Sequence, residues 1–275
     1  MPNIHKTAIV HKNAKIGENV KIGPYSILDS PGIVLEDGVE IKNHVTIEGN
    51  VHIGQRTKIG SYASIGVATT NLSFKGEVTY VKIGHDCDIR EYVSINSSCG
   101  EGTTVRVGNH CLIMPYAFIA HNCKVGDHVI MTNGATLAGY VSIGDYVILG
   151  GLCAIAQKLR VGDHAMVGGG SKIVNDIPPY AMCSGYPAKV GCLNIVGLKR
   201  RDFPAGVQRN LATAFRVTYK MGLRWEDAKE QILATIPQSD HLDNWIEFCS
   251  SSVKGIAPYR KNLEPSKTEK TFSNS

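Results

Sequence analysis

Aliphatic side chains recur every six residues along the first two thirds of the chain. Ile4, Val10, Ile16, Ile22 and Leu28 open the series, and after a one-residue slip at Ser30-Pro31-Gly32 it resumes at Leu35, Ile41, Ile47, Ile53, Ile59 and Ile65. It returns in phase at Ile83, Ile89 and Ile95, and from Val107 every sixth residue as far as Ile173 is Val, Ile, Leu or Met. Only positions 71, 77 and 101 break the phase. Four residues after each lead comes a smaller set, among them Ala8, Val20, Ser26, Val45, Thr57, Ala117 and Val147. The residue just after the lead is often Gly, as at Gly17, Gly23, Gly54, Gly60, Gly108, Gly126 and Gly144, where a positive φ at a corner is expected.

A period of six is neither helical nor simple strand alternation. It predicts a short strand and a tight turn, repeated, so that three strands close one coil of a prism and inward side chains stack between coils. Three hexads make 18 residues per coil, so residues 1–191 are expected to form a parallel β-helix of about nine or ten coils. Cys87, Cys99, Cys111 and Cys123 fall on the small inward position, which makes them packed thiols rather than a metal or disulfide ladder. The stretch from Val67 to Val81 is expected as a loop expelled from the coil, for binding or subunit contact or as a tolerated insertion.

The repeat ends at Asp176-Ile-Pro-Pro179, and helical spacing follows: Val207, Leu211 and Phe215, then Ala228, Ile232 and Ile236, then Trp245, Phe248 and Cys249. This predicts a helical domain over 192–256, with 257–275 a polar tail that frays. Glycine usage agrees, with 25 of the 29 glycines before Cys192.

Composition adds little beyond exclusions. Hydrophobic residues at 43% and charged residues at 19% exclude a disordered chain. Of the net charge of +5, +4 lies from Cys192 onward (13 basic against 9 acidic residues), which suits an anionic ligand or acidic partner and not a general nucleic-acid binder. No apolar run reaches membrane-span length, and Met1-Pro-Asn-Ile-His-Lys6 lacks the apolar core of a secretory signal. Eight cysteines without a CxxC pair point to a cytoplasmic protein with reduced thiols.

Specific segments then carry a resemblance: Ile119-Ala-His-Asn-Cys123, Ala135-Thr-Leu-Ala-Gly139, Gly168-Gly169, Asp176-Ile-Pro-Pro-Tyr180 and, above all, Asn194-Ile-Val-Gly-Leu-Lys-Arg-Arg201. The chain resembles the acyl-[acyl-carrier-protein]–UDP-N-acetylglucosamine O-acyltransferases, left-handed β-helix enzymes that open lipid A biosynthesis. The left hand of the coil is implied by this resemblance, not by the period. So is the reaction, transfer of a (3-hydroxy)acyl chain from acyl carrier protein to the 3-hydroxyl of a UDP-sugar, and so is a homotrimer with sites between subunits. The resemblance makes His121 the general base and Gly139, 18 residues on, the backbone donor to the oxyanion. Gln157, a further 18 on, faces the nucleotide sugar, and Asn194 matches a uridine contact. Arg200 and Arg201 face phosphates of the nucleotide and of phosphopantetheine, and Gly169 limits acyl-chain depth. No cofactor beyond the carrier's phosphopantetheine thioester is implied, and no metal.

The sequence also departs from the family. Asn71 and Ser73 stand where its substrate-binding loop usually carries Asp and Lys. Three substrate-contacting histidines fall at Asn96, Phe118 and Tyr140, a Glu falls at Val196, and the acid after the base is Asn122. An acyltransferase for a different nucleotide sugar, or a divergent paralogue with weak or no turnover, therefore stand as alternatives.

Overall fold

The computed structural model describes residues 1–260. Strands of mostly two residues stack into three sheets of 11, 9 and 8 strands, parallel but for the last strand of the first, and these are the faces of a triangular prism. The chain visits the faces in strict rotation: Asn3–Ile4 opens the first face, Ile9–Val10 the second and Lys15–Ile16 the third. Lead pairs with lead in register, as in Ile113↔Met131 and Ile119↔Leu137. Every lead from Ile22 to Ile173 is buried. Ile4, Val10 and Ile16 are not, because no earlier coil covers the first one.

Polar members of the smaller inward set turn their donors onto the backbone of the next coil. Ser26 Oγ donates to Lys42 O at 2.7 Å and Thr57 Oγ1 to Gly84 O at 2.8 Å. The thiols of Cys87, Cys111 and Cys123 reach carbonyls of Gly108, Gly126 and Ala138, each at 3.1 Å. All eight cysteines are free, and burial raises the Cys123 thiol pKa to about 12. Cys99 departs from the expectation: although buried, it lies outside the stacked core, in a corner loop.

The corners correct the expectation about glycine. The positive-φ residue is the third after the lead, and it is Tyr, His or Asn more often than Gly, as at Tyr25, His44, Asn122 and His128. Glycine just after the lead has a different cause: a β-carbon at Gly54 or Gly60 would sit about 2.6 Å from backbone of the next coil. Successive positive-φ rings stack along an edge, for example Tyr62, Tyr92 and Tyr116 with centroids 5.0 and 4.9 Å apart.

Every irregularity of the repeat falls on one edge, between the second and third faces. The slip near Pro31, the loop after Ser64–Val67 and a second loop between Ser94–Asn96 and Thr104–Val107 all lie there. The two loops join each other, since Val78 N–H donates to Glu101 Oε2 and Gly102 N–H to Val78 O.

The hexads stop at Ile173, short of residue 191. An antiparallel hairpin, Ala181–Gly185 with Ala188–Leu193, extends the first face and leads into helices α1 (Ile195–Arg200), α2 (Ala205–Lys220), α3 (Trp225–Thr235) and α4 (Asp240–Ser250). Leu211, Phe215, Ile232, Ile236, Trp245 and Cys249 form their core, whereas Phe248 lies under the Arg160 guanidinium. Residues 257–260 are not loose: Ala257 is buried and Arg260 N–H donates to Val190 O. The remainder of the expected tail, 261–275, lies outside the described residues.

Candidate active site

His121 follows the strand Phe118–Ile119 and sits on the loop-bearing edge, on the outer side of the coil. It is not open to water. The loop of residues 68–79 folds over it, and the residue is 9% exposed. Asn71 Nδ2 donates to His121 Nε2 at 3.2 Å, while Ser73 N–H donates to Asn71 Oδ1 at 2.9 Å and so fixes which end of the amide faces the ring. Asn71 and Ser73 thus join the site, Ser73 through its backbone.

The other side of the imidazole is fixed with equal clarity. Cys99 N–H donates to Asn122 Oδ1 at 3.2 Å and Asn122 Nδ2 donates to Cys99 O at 3.0 Å. This backbone clamp leaves Oδ1 as the group facing His121 Nδ1, 2.9 Å away. Only an Nδ1–H satisfies that contact, so Nε2 carries the lone pair. The second loop therefore sets the tautomer of His121, a role that an inward-packed Cys99 would not have.

Gly139 lies one coil further along the edge. A β-carbon there would overlap the His121 ring, which accounts for Gly at this position. Its carbonyl accepts from Lys158 N–H at 3.0 Å, and its own N–H has no acceptor among the described residues. On the neighbouring edge the equivalent amides of Asn109, Asp127 and Asp145 each donate to an Asp carboxylate of the next coil, at 2.7 to 2.8 Å. Among the described residues the Gly139 amide is left free beside the His121 ring. Tyr140 meets His121 edge-on, with ring centroids 5.2 Å apart, and Gln157 stands exposed one coil beyond. Asn96 is buried near this edge, its Oδ1 unpaired among the described residues.

Arg200 and Arg201 lie elsewhere. With Asn194 and Val196 they flank a cavity of about 580 Å³ on the first face, floored by Ile130, Ile148, Met166 and Met182. Arg200 is exposed. Arg201 is half-buried: it donates to the carbonyls of Gly197 and Tyr146 at 3.3 and 3.1 Å and stacks on the Tyr146 ring, and burial pulls its pKa below the ordinary value. Asn194 is buried, its amide capping α1 through Gly197 N–H and bonding His164 O at 2.9 Å. Gly169 lines a separate apolar cavity of about 600 Å³ with Tyr116, Gly134, Gly151 and Leu152. The described residues also group His85, Asp86 and His110 with potential ligand atoms within 4.8 Å. The Asp86 carboxylate there already accepts the Arg56 fork at 2.6 and 2.7 Å.

In a triangular prism the edge between the second and third faces is opposite the first face. One copy of the chain therefore carries His121 and the arginine-flanked cavity on opposite sides.

Comparison with known proteins bears on the family and the fold. Residues 176–257 match the family profile described as UDP N-acetylglucosamine O-acyltransferase, domain 2, and residues 104–139 match the bacterial transferase hexapeptide repeat. Over 195 residues the chain is 50% identical to the acyl-[acyl-carrier-protein]–UDP-N-acetylglucosamine O-acyltransferase of Chlamydia pneumoniae, covering 70% of each. The chain belongs to this family. The solved structure of LpxA from Acinetobacter baumannii superposes with a TM-score of 0.89 at 36% identity, covering 92% of this chain and 99% of that one. The UDP-N-acetylglucosamine acyltransferase of Bacteroides fragilis gives 0.90 at 34%, with 92% and 98% covered. Coils of opposite hand would not superpose so, and the family's left-handed β-helix with its C-terminal helical domain is the fold of this chain. No helix among the described residues is long and apolar enough to cross a membrane.

Proposed function

We propose that the chain transfers an acyl group from acyl carrier protein to the 3-hydroxyl of UDP-N-acetylglucosamine, with His121 as the base. The observation that carries this reading is the pairing of a tautomer-fixed imidazole with a free amide: His121 Nε2 holds a lone pair, and Gly139 N–H stands unpaired one coil away. The acceptor hydroxyl replaces Asn71 as the donor to Nε2. His121 takes its proton as the oxygen attacks the thioester carbonyl, and Gly139 N–H donates to the tetrahedral oxyanion. Collapse expels the phosphopantetheine thiolate, which recovers the proton from Nε2. Asn122 Oδ1 holds the Nδ1–H throughout, as a neutral orienter without the charge a carboxylate would supply.

The opposed half-sites support a homotrimer. A base on an edge and arginines on the opposite face are brought together when one copy's edge meets the next copy's first face, a head-to-tail contact that closes a ring. In that ring Arg200 supplies phosphate contacts, Arg201 and Asn194 hold the helix that presents it, and the cavity at Gly169 takes acyl carbons. The free thiols fit a cytoplasmic setting.

A specific observation keeps another nucleotide sugar as the second reading: Asn96, Phe118, Tyr140 and Val196 change the polar shell around the acceptor. Incubation with acyl carrier thioesters and a panel of UDP-sugars, with mass spectrometry of the products, separates the two. Acylated UDP-N-acetylglucosamine, abolished in His121→Ala, is the expected result. Product from another UDP-sugar alone favours the second reading, and no product from any sugar defeats both.

A further inference from the structure

We propose that Lys158 is an anion-binding residue of this site, holding a phosphate of the bound substrate from the same edge that carries His121. The inference rests on the acyltransfer reading above, which places the reacting hydroxyl at His121.

Lys158 is the positive-φ corner residue directly after Gln157, and its backbone N–H fastens the Gly139 carbonyl. It is exposed, and it takes part in none of the ion pairs formed among the described residues. Its ammonium lies 5.9 Å from the centroid of the Tyr140 ring, whose edge contacts His121. Tyr140 thus steers an unneutralised cation along the edge from the base. Coils repeat at strand spacing, about 4.8 Å, so two coils set Lys158 about 10 Å along the prism from His121.

Height in the ring gives the cation its counterpart. Lys158 belongs to the coil that begins at Ile148–Leu149, and Ile148 is within the floor of the cavity flanked by Arg200 and Arg201. In a ring whose axis runs along the prism, copies sit level, and Lys158 of one copy faces that cavity in the next. Lys158 and Arg200 then face one region two coils from the base, with the charge of Arg201 beside them, an arrangement for a phosphate. The breadth of a sugar ring separates the acceptor's reacting hydroxyl from its diphosphate. The pantetheine arm puts the donor's phosphate much further from its thioester. Of the two sources, the acceptor's diphosphate is the better fit.

The test is direct binding to the intact protein by calorimetry, independent of turnover, with UDP-N-acetylglucosamine, 4′-phosphopantetheine and uridine as titrants. Lys158→Ala is expected to weaken UDP-N-acetylglucosamine about tenfold, one charge-assisted contact, with uridine unaffected and the melting midpoint unchanged. Lys158→Arg should recover most of the loss, and Lys158→Glu should exceed it. A loss confined to 4′-phosphopantetheine also supports a phosphate site and assigns it to the donor. If the wild type binds the phosphate ligands and every Lys158 variant binds them equally well, the proposal is overturned and the functional reading survives. A wild type that binds neither overturns both.

Discussion

The α-carbon of Gly139 rests against the imidazole of His121, one coil away, so closely that a β-carbon would overlap the ring. The glycine that supplies a free amide is thus also the floor on which the imidazole lies. Gly139→Ala should displace the ring from the Asn71–Asn122 clamp and lower kcat by a factor on the order of 10² or more, since the proposed base and the proposed oxyanion donor both lose their geometry. The coil beneath, with Leu137 buried, is untouched, so thermal unfolding should change little. Steady-state kinetics beside a melting curve checks this; a variant with wild-type kcat would separate the contact from catalysis.

The hexad period by itself puts on one edge the three residues that the family resemblance singles out. Ile119, Leu137 and Ile155 are leads 18 residues apart, and the residues two places after them, His121, Gly139 and Gln157, must share an edge. Counted in threes, the leads also put each phase break after a second-face lead: Leu28, Ile65 and Ile95. What the period cannot carry is contact between loops of irregular length. The Cys99–Asn122 clamp and the Asn71 contact depend on how residues 68–79 and 97–103 pack on one another, and no repeat encodes that. The short α1 and the hairpin that leads into it escape the pattern for a related reason. Their burial serves the end of one particular prism and has no period of its own.

Asn122 offers a test of the orienting contact. Asn122→Asp keeps an acceptor at 2.9 Å from Nδ1 and adds a charge that stabilises the imidazolium, while giving up the donor to Cys99 O. The acidic limb of the pH–rate profile should move to higher pH, and kcat should stay within about tenfold of wild type. Asn122→Ala removes the orienter and should cost on the order of 10² in kcat with no such movement of the limb. Equal profiles for all three proteins would show that Asn122 does not govern the ring.

The two junction arginines should behave differently despite being neighbours. Arg200 is exposed, and Arg200→Ala should raise KM for a phosphate-bearing substrate about tenfold with little change in melting temperature. Arg201 is tied to the carbonyls of Gly197 and Tyr146 and stacked on the Tyr146 ring, so Arg201→Ala loosens α1 from the coil. It should lower the melting temperature measurably and weaken binding as a consequence. Parallel calorimetry and kinetics on both variants decide the matter. Arg201→Ala with unchanged stability would return that residue to a purely ligand-binding role.

His164 is expected to contribute to the response of the fold to acid. It is stacked between Tyr146 and Tyr180, its Nδ1 is buried without a partner among the described residues, and α1 and α4 bring Arg201 and His241 close. Burial, then the Arg201 charge, lower its pKa to about 4, with Asp163 acting in the opposite sense. Its ordinary value is about 6.5, so between the two the unfolded chain binds a proton that the folded chain refuses. Stability should therefore fall as pH drops from about 6.5 toward 4 and level off below, by at most a few kcal/mol from this group. His164→Phe keeps a ring in the stack and removes the titration. Denaturant midpoints at about pH 7.5 and about pH 5, on either side of the ordinary value, should differ less for the variant than for the wild type. Equal differences would mean that the junction between coil and helices tolerates a charged His164, and that some other group gives the fold its acid sensitivity.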